Sequence, residues 1–400
     1  MAPTTGQPLL GASMCILALA VDAHDDYPLV LAHNRDEYFA RSTGPLQQHG
    51  DILCALDHAS SGTWMGINVR TGNFAALTNV RAHQPSGVRS RGELVNRVLQ
   101  GKAAVACEST DYAAYNLLHG NLCDGRPIHL TTSVPPDWQP RTSELPSGSV
   151  VVKSNDEGGG LTTTEEHDGE FVWPKAVWLH SQVRAALSVG AELVGEDGAR
   201  ALIAALEPAM SAQVMPSAHA TAAAAFMPSP VSPLSVSDER TVQRAPRVAP
   251  FELHGPHAPK ASSLYGTVSQ SFLVQCRSEA CVLYAYRELP RGPPTASSTA
   301  TATAGFTAGP TASRSGGGTT RVPTCIDGTG IGGEGRGSGG AGSLSGAGSI
   351  GDTELPSWTW HRIPLPTAVL GPVADGGRGG SKRKADTIPG GMATEQLSAN

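Results

Sequence analysis

The chain's 400 residues suffice for one large domain or two ordinary ones, but its 47 Gly and 30 Pro, concentrated after residue 205, argue against 400 ordered residues. A net charge of −6 excludes the basic footprint of a nucleic-acid binder. Seven Cys without Cys-x-x-Cys or Cys/His spacing support neither a zinc site nor a disulfide framework, and the odd count fits a reducing compartment.

Residues 1–13 read as a disordered extension, lacking the basic start and long apolar core of a signal peptide. No apolar run is long enough to cross a bilayer, so the protein is expected to be cytoplasmic, with Golgi or mitochondrial association left open. Strands are predicted at Cys15–Val21 and Pro28–His33 around the polar loop Asp22–Asp26, then at Asp51–Leu56, Thr63–Val69 and Asn73–Asn79. Ser90-Arg91-Gly92-Glu93 reads as a capping box opening a helix whose stripe is Leu94, Val95, Val98 and Leu99. A second helix is predicted over Asp111–His119, strands over Pro127–Ser133 and Ser149–Ser154, and helices from Pro174 to about Leu187 and over Gly198–Leu206.

Residues 14–208 thus form the main part of the domain. An Ala/Pro/Ser-rich insertion follows at 209–263, read as mostly disordered with a helical patch at Ala220–Phe226. A strand hairpin occupies 264–289, a Gly/Ser/Thr/Ala-rich insertion 290–356, a final strand 357–366 and a tail 367–400. Alternating blocks of strands and helices predict an α+β fold of sheets layered against helices.

The densest chemistry is at Asn34-Arg35-Asp36-Glu37, four polar residues where an apolar strand is predicted to stop. Burying such groups without partners is costly, so the cluster reads as a site. Taken in order, Met14-Cys15, Asn34–Glu37, Gly62-Thr63-Trp64-Met65-Gly66, Ala75–Asn79 and Ser90–Val95 resemble the NRDE family, whose animal members are called transport and Golgi organization protein 2. Weaker likenesses follow at Ser154-Asn155, Trp173-Pro174-Lys175, Tyr265-Gly266-Thr267 and Trp358–Leu365.

The resemblance implies a four-layer αββα sandwich of the N-terminal-nucleophile (Ntn) hydrolase type, here with two low-complexity insertions. It also implies roles in Golgi organisation, secretion, lipid homeostasis and intracellular haem trafficking. In Ntn enzymes a first-residue thiol attacks while its own α-amine takes the proton. Cys15 stands in the matching place but follows fourteen residues, so it is either such a nucleophile after processing or a buried strand cysteine. By the same resemblance Asp36 would orient the Cys15 amine, Arg35 would pair with Asp36 or hold the thiolate, and Asn79 and Asn155 would stabilise an oxyanion. The structural alternative is a buried ion-pair network of Arg35 and Glu37, with the two Asn capping turns.

Asn34, Arg35, Asp36, Glu37 and Trp64 are the expected ligand-binding set. Trp64 is either a pocket floor or a core aromatic with a hydrogen-bonded N–H. Arg91 and Glu93 either face the site or form a solvated capping pair. Where the family commonly carries Arg after Tyr-Gly-Thr, this chain has Val268, which weakens an enzymatic reading. His33, His49, Cys54 and His58 are the haem-ligand candidates near the motifs, and none stands out. The expected function is cytoplasmic handling of haem or another small hydrophobic ligand, with no bound cofactor of its own. A Cys15 amidohydrolase or thioesterase is the alternative, and a Golgi scaffold acting through the insertions is a third reading.

Overall fold

The computed structural model describes residues 15–80, 89–104, 111–155, 173–225, 235–254, 263–291 and 355–365. The expectations for residues 1–13, for nearly all of the 290–356 insertion and for the tail beyond 366 lie outside them. Strands β1 (Ile16–Val21), β2 (Leu29–Tyr38), β3 (Thr43–His49), β4 (Ile52–Asp57), β5 (Met65–Asn68) and β6 (Asn73–Asn79) lead to helix α1 (Gly92–Leu99). Then come β7 (Tyr115–Asn121), β8 (His129–Ser133), β9 (Arg141–Glu144), β10 (Ser149–Lys153), α2 (Pro174–Val189), α3 (Gly195–Ser211), α4 (Ser217–Ala225) and α5 (Val236–Val242). The described chain closes with β11 (Phe251–Glu252), β12 (Leu264–Cys276), β13 (Cys281–Glu288) and β14 (Thr359–Pro364).

The strands make two antiparallel sheets. One runs β10-β1-β2-β12-β13-β14, with β11 beside β12; the other is the meander β3 through β9 in chain order. β1 and β2 are buried on both faces, which is why their sequences run apolar instead of alternating. Ile16, Ala18, Val30 and Ala32 pack with Leu179, Val183, Leu202 and Leu206 of α2 and α3. The intervening Leu17, Leu19, Leu29 and Leu31 pack with Leu53, Met65, Phe74, Ala76 and Leu118 of the second sheet. A third core joins Leu94, Val95, Val98 and Leu99 of α1 to Ala75, Leu77, Tyr115 and Leu117. Each Val, Leu, Ile, Phe or Met among these contributes about 1.5–3 kcal/mol on burial. The edge strand β9 is fully exposed and carries Arg141 and Glu144, charges that discourage edge-to-edge pairing.

Four sequence expectations need correction. β2 does not stop at His33 but continues through Asn34–Glu37 to Tyr38, because β12 pairs with it along that whole stretch. Residues 115–121 are strand β7, not helix: it lies between β6 and β8, with α1 covering one face. The α1 N-terminus has no capping box; Arg91 is its N-cap with no side-chain cap bond, and Glu93 pairs with Arg89 instead. Finally, much of 209–263 is built into the fold, because Met210, Met215, Ala223 and Val248 are buried apolar anchors and α4 and α5 form within it.

Candidate functional site

Alternation along β2 divides Asn34–Glu37 between two faces. Asn34 points to the helical side, where its Nδ2 donates to Met210 O (2.8 Å) and Pro246 O (3.0 Å) and its Oδ1 accepts from Gln270 Nε2 (3.0 Å). Asp36 shares that face: its Oδ1 accepts from Thr267 Oγ1 at 2.5 Å, and Thr267 Oγ1 accepts from Val248 N at 2.8 Å. These two residues tie β2 to β12 and to the 209–263 segment.

Arg35 and Glu37 face the other sheet. Arg35 is 4% exposed and donates through Nη2 to Asp57 Oδ2 at 2.9 Å. Asp57, at the end of β4, also accepts from Arg41 Nε at 2.7 Å and from the Ala59 N–H at 2.9 Å. Glu37 Oε2 lies 3.8 Å from Arg35 Nη2 and 3.6 Å from Arg41 Nη1. The expected buried network of Arg35 and Glu37 therefore exists, with Asp57 as its tightest carboxylate. The Arg35 guanidinium also lies over the Trp64 ring, 4.4 Å from its centroid. Trp64 is a buried wall of this network, and its indole N–H has no hydrogen-bond partner among the described residues, contrary to the core-aromatic expectation.

Cys15 directly precedes β1 and is 3% exposed. Its Sγ lies 4.0 Å from the backbone oxygen of Asp36, while the Asp36 carboxylate is engaged by Thr267. Ser154 Oγ donates to Cys15 O at 2.8 Å and sits 3.4 Å from Asn155 Oδ1; Asn155 Nδ2 in turn donates to Asn79 O. Cys15, Asn79 and Asn155 are thus brought to one end of the two sheets, with Arg35 on the neighbouring strand.

Two arginines outside the expected ligand set complete this end. The charge of Arg41 is opposed by burial but favoured by Glu37, Asp57 and Cys15, which together hold its pKa above the usual range. Arg91 goes the other way: burial and the nearby Arg41 guanidinium push it down to about 10, against smaller opposing pulls from Glu37 and Cys15. Arg91 Nη1 donates to Ala114 O at 2.9 Å, so the side chain is neither a solvated cap nor paired with Glu93.

Two glycines explain its position. A Cβ on Gly62 would come within 3.0 Å of the Gly92 backbone, and one on Gly92 within 3.0 Å of the Thr63 backbone, so α1 starts in direct backbone contact with Gly62-Thr63, just before β5. The only sequence signals for these groups are single charges next to strand or helix ends: Arg41 just after β2, Asp57 closing β4, Arg91 before α1.

Between the sheets a narrow gap is bordered by Leu17, Leu19, Ala76, Leu118 and Val151, with Thr78, Asn116 and Lys153 at its polar end. Thr78 and Lys153 are the strand neighbours of Asn79 and Ser154, so the gap adjoins the Cys15 end. Elsewhere in the inter-sheet core His33 is fully buried. Neither ring nitrogen makes a well-formed hydrogen bond, and burial, partly offset by the Leu77 backbone, pushes its pKa down to about 3. Val268, at the family's Arg position, is fully buried at a β-bulge: Thr267 pairs with Asp36 and Ser269 with Arg35, leaving Val268 between them. No group of three or more His, Cys, Asp or Glu placed to hold a metal occurs among the described residues. No helix among them is long and apolar enough to cross a membrane.

A family model described as Transport and Golgi organisation 2 matches residues 14–287. The chain is 33% identical over 127 residues to a Mus musculus protein named Transport and Golgi organization 2 homolog, covering 27% of this chain and 46% of that one. It is 35% identical over 123 residues to the Homo sapiens Transport and Golgi organization protein 2 homolog, covering 28% and 43%. An uncharacterized Saccharomyces cerevisiae protein is 40% identical over 93 residues, covering 20% and 29%. In each case the matched stretch spans less than half of the relative's length. With the family model covering most of its length, this chain belongs to the Transport and Golgi organisation 2 family.

Proposed function

We propose that the chain handles a small hydrophobic metabolite, with haem among its cargoes, in a cytoplasmic role that bears on Golgi organisation and secretion. On this reading its sheets and outer helices make the Ntn-hydrolase-like αββα sandwich that its family resemblance implies. The observation that carries the reading is the adjacency of an apolar inter-sheet gap to the Cys15–Arg35–Trp64 end. The gap has room for only about 10 Å³, roughly one water, so an apolar body enters between the Leu and Val walls only as they part, while guanidinium groups suit the carboxylates that haem carries at its edge. The reading places no weight on iron ligation, because His33 is sealed in the core. Titration of the purified protein with haem is expected to give a saturable change in the Soret band. No saturable change, together with normal haem distribution in a deletion strain, would overturn it.

A second reading, a cysteine amidohydrolase or thioesterase of the Ntn type, is favoured by the Ser154 Oγ bond to Cys15 O and the linked Asn155 and Asn79. In that chemistry the Cys15 sulfur attacks a carbonyl carbon, its proton passes to a free α-amine, and side-chain amides receive the developing oxyanion. It requires Cys15 to be the first residue. Mass spectrometry of the protein isolated from its own cells decides this: a chain beginning at Cys15 sustains the reading, and one retaining Met1 removes it.

A further inference from the structure

Among the described residues, the guanidinium groups at the Cys15 end outnumber the carboxylates that face them. Arg35 and Arg41 share Asp57 and Glu37. Arg291 joins the same end through main-chain oxygens and a side-chain hydroxyl: Nη1 donates to Arg41 O (3.1 Å) and Nη2 to Thr43 Oγ1 (2.7 Å), the hydroxyl that Arg35 Nη1 also approaches at 3.5 Å. Arg91 donates to Ala114 O and has no carboxylate partner among the described residues. Among the described residues four guanidiniums thus meet two carboxylates, and Arg91 and Arg291 have no ion-pair partner there.

The surplus lies at the rim. Arg35 is sealed at 4% exposure, whereas the Arg41 side chain is 31% exposed and Arg91 is partly exposed. Arg41 bonds through Nε and Nη1, and Arg91 through Nη1. Their remaining nitrogens have no hydrogen-bond partner among the described residues, and both side chains keep some exposure. Both arginines are held in place, Arg41 by Asp57 and Arg91 by its bond to Ala114 O, so little side-chain freedom is lost when they bind. Two like charges fixed at one rim repel each other and gain when a shared anion enters between them.

We propose that Arg41 and Arg91 form a receptor for an oxyanion head group, the carboxylate or phosphate of a small ligand, at the rim beside Cys15. This rests on the cargo reading for its biological meaning but not for its test. The head group docks on the two guanidiniums, and the rest of the ligand is directed toward the Cys15 end. Asn34 and Asp36, on the opposite face of β2, take no part.

The test is calorimetric titration of the full chain with three colourless probes: octanoate, inorganic phosphate and octyl phosphate. The variants are Arg91→Gln, Arg91→Lys and Arg70→Gln. Arg70 is 70% exposed and paired with Asp51. Saturable binding of at least one probe is expected, weakened tenfold or more in Arg91→Gln, largely kept in Arg91→Lys and unchanged in Arg70→Gln. Octanoate alone would assign the site to carboxylates; phosphate or octyl phosphate alone would assign it to phosphates. No saturable binding by any probe, or equal loss in Arg91→Gln and Arg70→Gln, would overturn the proposal. Should Arg91→Gln fail to fold, Arg41→Gln replaces it under the same criteria. Haem binding without probe binding would sink the receptor and spare the cargo reading; Arg91-dependent probe binding without a Soret change would do the reverse.

Discussion

Replacing Asp57 by Asn removes one charge while keeping the shape and the oxygen that accepts from the Ala59 N–H. Asp57 Oδ2 is held at 2.9 Å by Arg35, which is 4% exposed, and at 2.7 Å by Arg41, which is 31% exposed. Taking one partner from a buried pair costs about 3–5 kcal/mol, most of it from stranding the remaining charge. The bond to Arg41 is closer to a surface pair and adds about 1 kcal/mol at most. Glu37 at 3.8 and 3.6 Å still offsets part of both guanidinium charges, which pulls the sum toward the lower bound. The expected cost is therefore about 3 kcal/mol, read as a lower urea midpoint at an unchanged slope. Arg35→Met in the same background removes the stranded cation, so the double variant should recover about 2 kcal/mol of that loss. A loss under about 1 kcal/mol in Asp57→Asn, or no recovery in the double variant, would show that Arg35 is not a desolvated partner of this carboxylate.

Asn34→Ala should cost about 2–3 kcal/mol, because Pro246 O is orphaned and Gln270 loses an acceptor; probe binding at the rim should not change. A loss of probe binding with intact stability would contradict the two-face division of β2. His33 stays neutral in the fold down to about pH 3, whereas the unfolded chain takes up that proton near 6.5, so the unfolded state binds more protons below 6.5 and stability falls as pH drops. From this histidine alone the loss should reach about 2 kcal/mol by pH 5, and His33→Leu should flatten the urea-midpoint profile over that window. Gly66→Ala should lower stability by about 1–3 kcal/mol. Its Cβ would meet Cys54 Cβ and Leu99 Cδ1 at 2.9 Å and Leu53 O at 3.1 Å; an unchanged thermal midpoint would mean that α1 yields without cost.

Much of the strand order was legible because Ile16–Val21, Asn73–Asn79 and Ser149–Lys153 are short apolar runs bounded by turn residues. The helix expected over Asp111–His119 gives way to strand β7 for a physical reason. A strand covered by α1 on one face and the other sheet on its second loses the alternation that separates strand from helix, and Leu117-Leu118 fits either. β3 escaped notice because Gly44, Pro45 and two Gln give it a loop's composition, tolerated at an edge strand. For the site, the sequence marks Asn34–Glu37 as chemistry-bearing but cannot divide it. That division needs the strand to continue past His33, and the cause lies some 230 residues away in β12. Asp57 and Arg41 leave no signal in the sequence because isolated charges on separate elements carry no common spacing, whereas Arg91 stands in the Ser90–Val95 motif, where the sequence leaves it open between a site-facing group and a cap.

The bulge at Val268 has a genetic corollary. Upstream of it, odd-numbered positions of β12 such as Thr267 lie opposite Asp36 and share its helix-facing side; downstream, odd-numbered Ser269 lies opposite Arg35 and shares the inter-sheet side. One supernumerary residue thus switches the parity of the strand at the level of the four-residue motif. A codon deletion at Val268 would restore strict alternation and leave Thr267 opposite Asp36 and Ser269 opposite Arg35, so both faces of the motif would keep their partners; a deletion elsewhere in β12, with the bulge kept, would put the two faces out of step.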